Sequence, residues 1–235
     1  MSGKLAFAAT AGLAGAAVFL AVGIGLAGPD WINAGGSWIG GQSTCGASTS
    51  TRKEVTLPFD ANDSFTLALP ASVRYRPGDK AQAVVNGEAV LIDHLRMEGS
   101  QLSLDCEPGW FPSRLNVTLS GPAITDWKVV GSGDLALEEI NQPRLKLNIR
   151  GSGSVTASGT AETLALEISG SGDGRLRNLI AQSAQIEIRG SGDAEVTAQA
   201  DADVSISGSG DVDLYGHPIM KRSQVKGSGS ITNVP

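Results

Sequence analysis

The chain has 235 residues, of which 31 are glycine and only 5% are aromatic, and its formal net charge is −6. This length allows one substantial core, and the mild acidity argues against nucleic-acid binding, which needs a clustered basic surface. Because residues 1–50 hold one Lys and one Asp, the net charge belongs to residues 51–235.

The N-terminal segment determines the expected compartment. Residues 5–28 contain no charged side chain, and Lys4 precedes them while Asp30 follows. A secretory signal peptide has an apolar region of about 7–15 residues, whereas about 20 apolar residues span a bilayer. We therefore expect residues 1–28 to form an N-terminal apolar helix that anchors the chain in the membrane through residues 5–28. A cleaved signal peptide and a buried core helix are the alternatives; the anchor and the signal both export the remaining chain to the periplasmic or extracellular face of the cell envelope.

Residues 29–51 form a linker rich in Gly, Ser and Thr, and this linker contains the first of two cysteines. Cys45 and Cys106 are an even pair in a chain expected to be exported, and export permits a disulfide. The bridge would tie the linker to the β domain; two unpaired thiols are the alternative. A zinc site needs more Cys or His at close spacing, so we expect neither a metal nor another cofactor.

Residues 52–120 are predicted to form a smaller β portion that precedes the repeats. Apolar and polar residues alternate in several short runs, which is typical of strands. Turn dipeptides separate these runs at Pro77-Gly78 and at Asn86-Gly87. We expect His94 to be an ordinary surface histidine in a turn.

Six copies of the tripeptide Gly-Ser-Gly, 18–20 residues apart, organise the C-terminal half of the chain. Alternating apolar residues precede the tripeptides, as in Leu145, Leu147 and Ile149, and period-two alternation indicates a strand with one buried face. A unit of this length is too short for a propeller blade and suits one turn of a parallel β-helix. We predict an all-β fold in which residues 121–235 stack as six coils of about 19 residues. The coil-corner glycines are Gly131, Gly151, Gly170, Gly190, Gly208 and Gly227.

The position after each tripeptide is occupied by a short polar residue. Such side chains cap turns by bonding the local backbone, as in Asx- and Ser-turns. The alternative is an acidic ladder along the stack that binds a cation or a sugar. We name this position the slot column; it consists of Asp134, Ser154, Asp173, Asp193, Asp211 and Ser230.

Gly-Ser-Gly-Asp followed by Val/Leu-x-Leu, repeated at a spacing near 19 residues, resembles the auto-transporter adhesin head GIN domain family. The resemblance covers residues 55–232, and its weaker early part includes Phe65–Tyr75 and Leu115–Trp127. It implies a right-handed β-helix, often with a smaller N-terminal β portion. The family has no established molecular function and no defined catalytic residues, so the resemblance assigns none here.

The residues offer no recognised catalytic constellation. The chain contains no Gly-x-Ser-x-Gly nucleophile elbow. Asp201 with Asp203, and Asp211 with Asp213, are paired carboxylates of the kind that perform acid/base work on glycosidic bonds, but outward residues on a half-exposed strand are simply solvated. We expect Glu138 and Glu139 to face solvent in a loop.

Three functional hypotheses follow from this organisation. The first is a non-enzymatic envelope module that binds an envelope polysaccharide or a protein ligand, or acts as a scaffold, by repetitive display along the stack. Besides the slot column, its candidate display residues are Arg150, Glu187 and Arg189. The second is a polysaccharide-active enzyme on the same fold, and the third is an envelope-stress sensing head.

Overall fold

The computed structural model describes residues 44–46, 51–60, 62–108 and 115–234. The predicted N-terminal apolar helix and most of the linker lie outside these residues. No helix in the described part has the length and apolarity that crossing a bilayer requires. In chain order the elements are β1 (Arg52–Pro58), β2 (Ser64–Ala68), β3 (Ala71–Pro77), β4 (Gln82–Glu88), α1 (Ala89–Asp93), β5 (Leu95–Glu98), β6 (Gln101–Leu104), β7 (Leu115–Gly121), β8 (Asp126–Gly131), β9 (Asp134–Gly151), β10 (Ser154–Gly170), β11 (Asp173–Gly190), β12 (Ala194–Gly208), β13 (Val212–Tyr215), β14 (Ile219–Gly227) and β15 (Ile231–Asn233).

The C-terminal half is a stack of parallel coils, which confirms the all-β prediction and the parallel pairing. β9, β10, β11 and β12 each pair in parallel with the next, shifted by one repeat. Leu145 thus lies beside Leu164, which lies beside Ala184. The six Gly-Ser-Gly bends delimit about five turns, one fewer than the six coils predicted, because a turn closes between two successive bends. The right-handed sense of the coil stays a prediction.

The alternating apolar residues point inward and form continuous columns. Ile149, Ile168, Ile188 and Ile206 occupy one column, and each of them is 0% exposed. Burial of one such side chain contributes about 1.5–3 kcal/mol. Because every coil adds the same layer, the core is long and thin and each coil depends on its neighbours.

The N-terminal strands continue this stack and do not form a separate layer. β3 pairs in parallel with both β7 and β9, and β8 joins β2 to β9. The antiparallel strands lie at the far edge, where β4 pairs with β7 and with β1, and β5 pairs with β6.

Aromatic side chains fill the interior of these first coils. Trp127 packs against Phe65 and Tyr75, with ring centroids 5.5 and 4.8 Å apart. The Trp127 indole N–H donates to the Ile124 carbonyl, and the Tyr75 hydroxyl donates to the Pro122 carbonyl at 2.7 Å. Burial raises the pKa of the Tyr75 hydroxyl. The aromatic rings can therefore be buried because their polar atoms find backbone partners.

The turn predicted at Asn86-Gly87 is wrong, because both residues lie inside β4. A Cβ on Gly87 would overlap the Leu115 side chain of β7. The glycine therefore makes room for a neighbouring leucine, and the chain turns instead at the short helix α1.

Candidate functional site

The Gly-Ser-Gly bends stack directly on one another and form the spine of the stack. From the second copy onward, the Ser N–H donates to the first-glycine carbonyl of the preceding coil at 2.8–2.9 Å. The first glycines have φ between +96° and +143°, a region that L side chains rarely adopt. From Gly151 onward, a Cβ on either glycine would also overlap a carbonyl oxygen of the coil before it. The tripeptide thus lets the backbones of successive coils approach closely.

The slot column links neighbouring coils through its side chains. The Asp193 carboxylate accepts the backbone N–H of Asp211 at 2.8 Å, and the Asp211 carboxylate accepts the N–H and the hydroxyl of Ser230, both at 2.7 Å. The Ser154 hydroxyl donates to Asp134 at 2.7 Å. These bonds run between coils, where the turn-cap interpretation expected bonds within one bend.

A shallow acidic groove runs across three coils beside the slot column. Asp173, Asp193 and Asp211 contribute one row, and the next outward positions on the same strands contribute a second row. We call this surface the acidic groove; it is lined by Asp173, Arg175, Asp193, Glu195, Asp211 and Asp213. The guanidinium of Arg175 pairs with Asp173 at 2.7 Å. Carboxylates outnumber cations here, so the surface offers mainly hydrogen-bond acceptors.

A second polar array lies on the strands that precede the bends. Arg189 donates to Glu167 at 2.8 Å and to Glu187 at 2.5 Å. Asn148 donates to Glu167 at 2.7 Å and accepts from Arg150 at 3.1 Å. The predicted display residues Arg150, Glu187 and Arg189 are therefore brought together in one network that holds their charged ends in place.

One of the two predicted carboxylate pairs, Asp201 with Asp203, lies against the next coil of the stack. Asp201 binds Lys221 of the next coil at 2.9 Å, and Asp203 lies 3.5 Å from Arg222. The hydrogen bond from Lys221, helped by that from Ser183, lowers the pKa of Asp201 against an opposing effect of burial. Both carboxylates of this pair thus lie against cations of the neighbouring strand.

Sequence reasoning missed an ion cluster next to the slot column. Glu138 and Glu139 lie within β9 and not in a loop. Glu138 bridges Arg74 at 2.8 Å and Arg76 at 2.5 Å, and this raises the pKa of Arg76. Glu139 has φ +58°, a backbone angle that usually requires glycine. Because no glycine stands there, the sequence shows no sign of a bend at this position.

Cys45 and Cys106 form a disulfide at the N-terminal edge. Next to it, His94 contacts the Asp105 carboxylate at 2.7 Å. The His94 hydrogen bond, with Arg96, lowers the pKa of Asp105. Asp105, Cys106 and His94 lie close enough together to suggest metal ligands, but the Cys106 sulfur is already bonded to Cys45.

A family model matches the chain, and solved structures share its fold. A family model described as "Putative auto-transporter adhesin, head GIN domain" matches residues 63–218. The structure is similar to a "putative adhesin" from Bacteroides fragilis NCTC 9343, at 20% identity and a TM-score of 0.60, over 80% of this chain and 99% of that one.

Two further solved structures are similar over 80% of this chain and 98% of theirs. One is a "putative lipid binding protein" from Parabacteroides distasonis ATCC 8503, at 20% identity and a TM-score of 0.48. The other is a "putative adhesin" from Parabacteroides merdae ATCC 43184, at 13% identity and a TM-score of 0.49. No curated protein matches the sequence at a significant level.

Proposed function

The chain belongs to the auto-transporter adhesin head GIN domain family, and we propose on this premise that it is an exported, non-enzymatic binding module of the cell envelope. Its ligand is an envelope polysaccharide or a protein, and contact is made through polar side chains that repeat from coil to coil. The observation that carries the proposal is the acidic groove, in which carboxylates recur on three successive coils.

The groove suits a repetitive ligand because its side chains are held at regular intervals. Coils in such a stack lie about 4.8 Å apart, and the glycine spine and the buried columns fix this spacing. The Asp193 carboxylate is oriented by the hydrogen bond that it accepts from the Asp211 N–H. The Asp211 carboxylate is oriented in the same way by Ser230. A polymer with a repeating hydroxyl or amine pattern can then make many weak contacts whose effects combine.

Two acids outside the acidic groove do not have the raised pKa of a glycosidic general acid. A glycosidic general acid needs a raised pKa. Among the described carboxylates with a resolved shift, Asp105 and Asp201 both have a lowered pKa. Both are held by cationic or hydrogen-bonding neighbours, as expected for structural ion pairs.

Two features support an envelope location. The Cys45–Cys106 disulfide suits an oxidising compartment. The uncharged segment of residues 5–28 is long enough to anchor the chain in a membrane. We therefore propose a single N-terminal anchor, with the stack on the periplasmic or extracellular side.

The test is a binding screen of the full chain, purified in mild detergent, against peptidoglycan and envelope polysaccharide fractions. It is run beside the variant Asp173→Asn, Asp193→Asn, Asp211→Asn, because an Asn side chain can still accept the inter-coil hydrogen bonds. We expect the wild type to bind one fraction and the variant to lose most of that binding while its circular dichroism is unchanged.

A matched control removes three exposed acids elsewhere through Asp60→Asn, Asp79→Asn and Glu107→Gln. This control protein should bind as the wild type does. Equal losses of binding in both variants would show that the interaction depends only on net charge. Hydrolysis of a bound polysaccharide by the wild type would contradict the non-enzymatic proposal.

A further inference from the structure

In the part of the chain that the structure describes, the final coil leaves one side of its strands unpaired. Among the described residues, β14 pairs only with β12, and β15 only with β13. Val225 continues the inward column whose other members are fully buried, yet it is 39% exposed. Ser223 lies beside Val204 of the preceding coil, so a polar residue occupies the neighbouring inward column at this edge. The edge therefore offers backbone hydrogen-bonding groups that pair with no strand of the described residues, beside one partly exposed apolar side chain, Val225.

The charge of this edge is opposite to that of the rest of the protein. Residues 214–235 contain Lys221, Arg222 and Lys226 and none of the chain's 24 acidic residues. Lys221 and Arg222 already lie beside Asp201 and Asp203 of β12, so this stack places acids opposite cations on adjoining strands. A strand added to the free side of β14 would meet the same cations from the other direction.

We propose that the free edge of β14 is a docking site for an extended acidic segment of another protein, which adds to the sheet as a further strand. Backbone hydrogen bonds provide the affinity of such an addition, and alternate side chains provide its specificity. In parallel register the segment places acids opposite Arg222 and Lys226, and apolar side chains opposite Ser223 and Val225. The recognised pattern is therefore acid, apolar, any residue, apolar, acid.

The charges of the chain's own edge strands disfavour a second copy of this chain as the occupant. Pairing β14 with itself would bring Lys221, Arg222 and Lys226 against the same three cations. At the other end of the same column of strands, β5 carries one cation, Arg96, and one acid, Glu98, so it offers no net complementary charge either. Like charges placed opposite one another on paired strands are destabilising.

The probe is a fluorescent peptide, Asp-Ala-Asp-Val-Ser-Ile-Asp-Gly-Ser, which follows the β12 sequence with one added acid. Its binding to the full chain in mild detergent is measured by fluorescence anisotropy. We expect saturable binding that becomes about tenfold weaker in the variant Arg222→Gln, Lys226→Gln. The matched control Lys146→Gln removes an outward lysine on β9, a strand with neighbours on both sides, and should leave binding unchanged.

A second measurement needs only the wild-type protein. Two versions of the peptide are N-methylated on alternate amides, so that each version blocks one edge of the peptide strand. Strand addition predicts that only one version loses binding. Absence of saturable binding up to about 1 mM peptide, or equal behaviour of the two methylated versions, would overturn the proposal. Self-association of the chain that is lost in the Arg222→Gln, Lys226→Gln variant would also overturn it, because it would assign the edge to a second copy.

Discussion

At the scale of single residues, the glycines of the bends combine two separate requirements. Gly190 has φ +130°, and a Cβ on it would overlap the carbonyl oxygen of Gly170 in the coil before. Gly131 has φ +96°, but a Cβ on it would meet nothing within 4 Å. The two positions therefore separate the cost of the backbone angle from the cost of the close approach.

We predict that Gly190→Ala lowers the free energy of unfolding by about 3–5 kcal/mol, since strain and overlap with a neighbouring backbone add. The control Gly131→Ala should cost only about 1–2 kcal/mol, because the backbone angle alone is unfavourable. Urea unfolding followed by circular dichroism measures both values. Equal losses would show that contact between the stacked bends contributes nothing.

Asp201 provides a prediction of pH dependence. Its pKa is lowered in the folded protein, mainly by Lys221, so its carboxylate stabilises the fold above the unfolded-state pKa of about 3.9. This stability is lost as the pH falls through the lowered folded-state pKa. We expect Asp201→Asn to be less stable than the wild type near neutral pH, with a difference that closes as the pH drops below about 4.

Chemical denaturation of both proteins from neutral to acidic pH tests this expectation. Asp79→Asn removes another acid, in the exposed turn after β3, and is measured beside it as the control. A gap between Asp201→Asn and the wild type that stays constant with pH would contradict the lowered pKa.

At the scale of elements, the disulfide secures the N-terminal edge of the sheet. Cys45 is buried, and Thr44 and Glu107 exchange hydrogen bonds at 2.9 and 2.8 Å beside the bridge. The bridge closes a separation of 61 residues, for which the chain-entropy estimate is about 4 kcal/mol.

We predict that Cys45→Ala, Cys106→Ala lowers the free energy of unfolding by about 2–5 kcal/mol. Hydrogen exchange should rise mainly in the edge strand β5 and in β6 beside it, and remain slow in β10 and β11 at the centre of the stack. Uniform acceleration across all strands would contradict this local role of the bridge.

The sequence specified the repeating elements better than the irregular ones, for physical reasons. The bends and the inward columns could be predicted because each coil meets the same steric demand and therefore repeats the same residues. The turn prediction at Asn86-Gly87 failed because Gly87 is a glycine for another reason: it leaves room for the side chain of Leu115. Leu115 is distant in the sequence, so local turn propensity does not reveal this contact. The inter-coil bonds of Asp193 and Asp211 depend on the coil spacing, which the residue types alone do not give.

At the scale of the whole molecule, the coils are expected to be interchangeable. Removal of residues 171–190 joins Gly170 to Ser191 and restores Gly-Ser-Gly-Asp at the junction. The inward columns then place Leu164 beside Ala202 and Ile168 beside Ile206. Because each repeat contacts only its neighbours, the shortened stack should retain its fold.

We predict that this one-coil deletion yields a folded protein with a β-rich circular dichroism spectrum and a smaller denaturant m-value. Removal of residues 171–180 alone is the matched control, and it should prevent cooperative folding because the bends and inward columns lose their register. If the half-coil deletion folded as well as the full-coil deletion, the repeat would not be the structural unit.

Repetitive display is the central claim, and affinity as a function of ligand length tests it most directly. The measurement uses soluble oligosaccharides of graded length prepared from the fraction bound in the screen, titrated calorimetrically into the wild type. If the acidic groove acts as an array, affinity should rise with length until the oligosaccharide spans the groove, because further contacts are made within one complex. An affinity that reaches its full value with one or two sugar units would contradict the account, because it would place binding in a single discrete pocket.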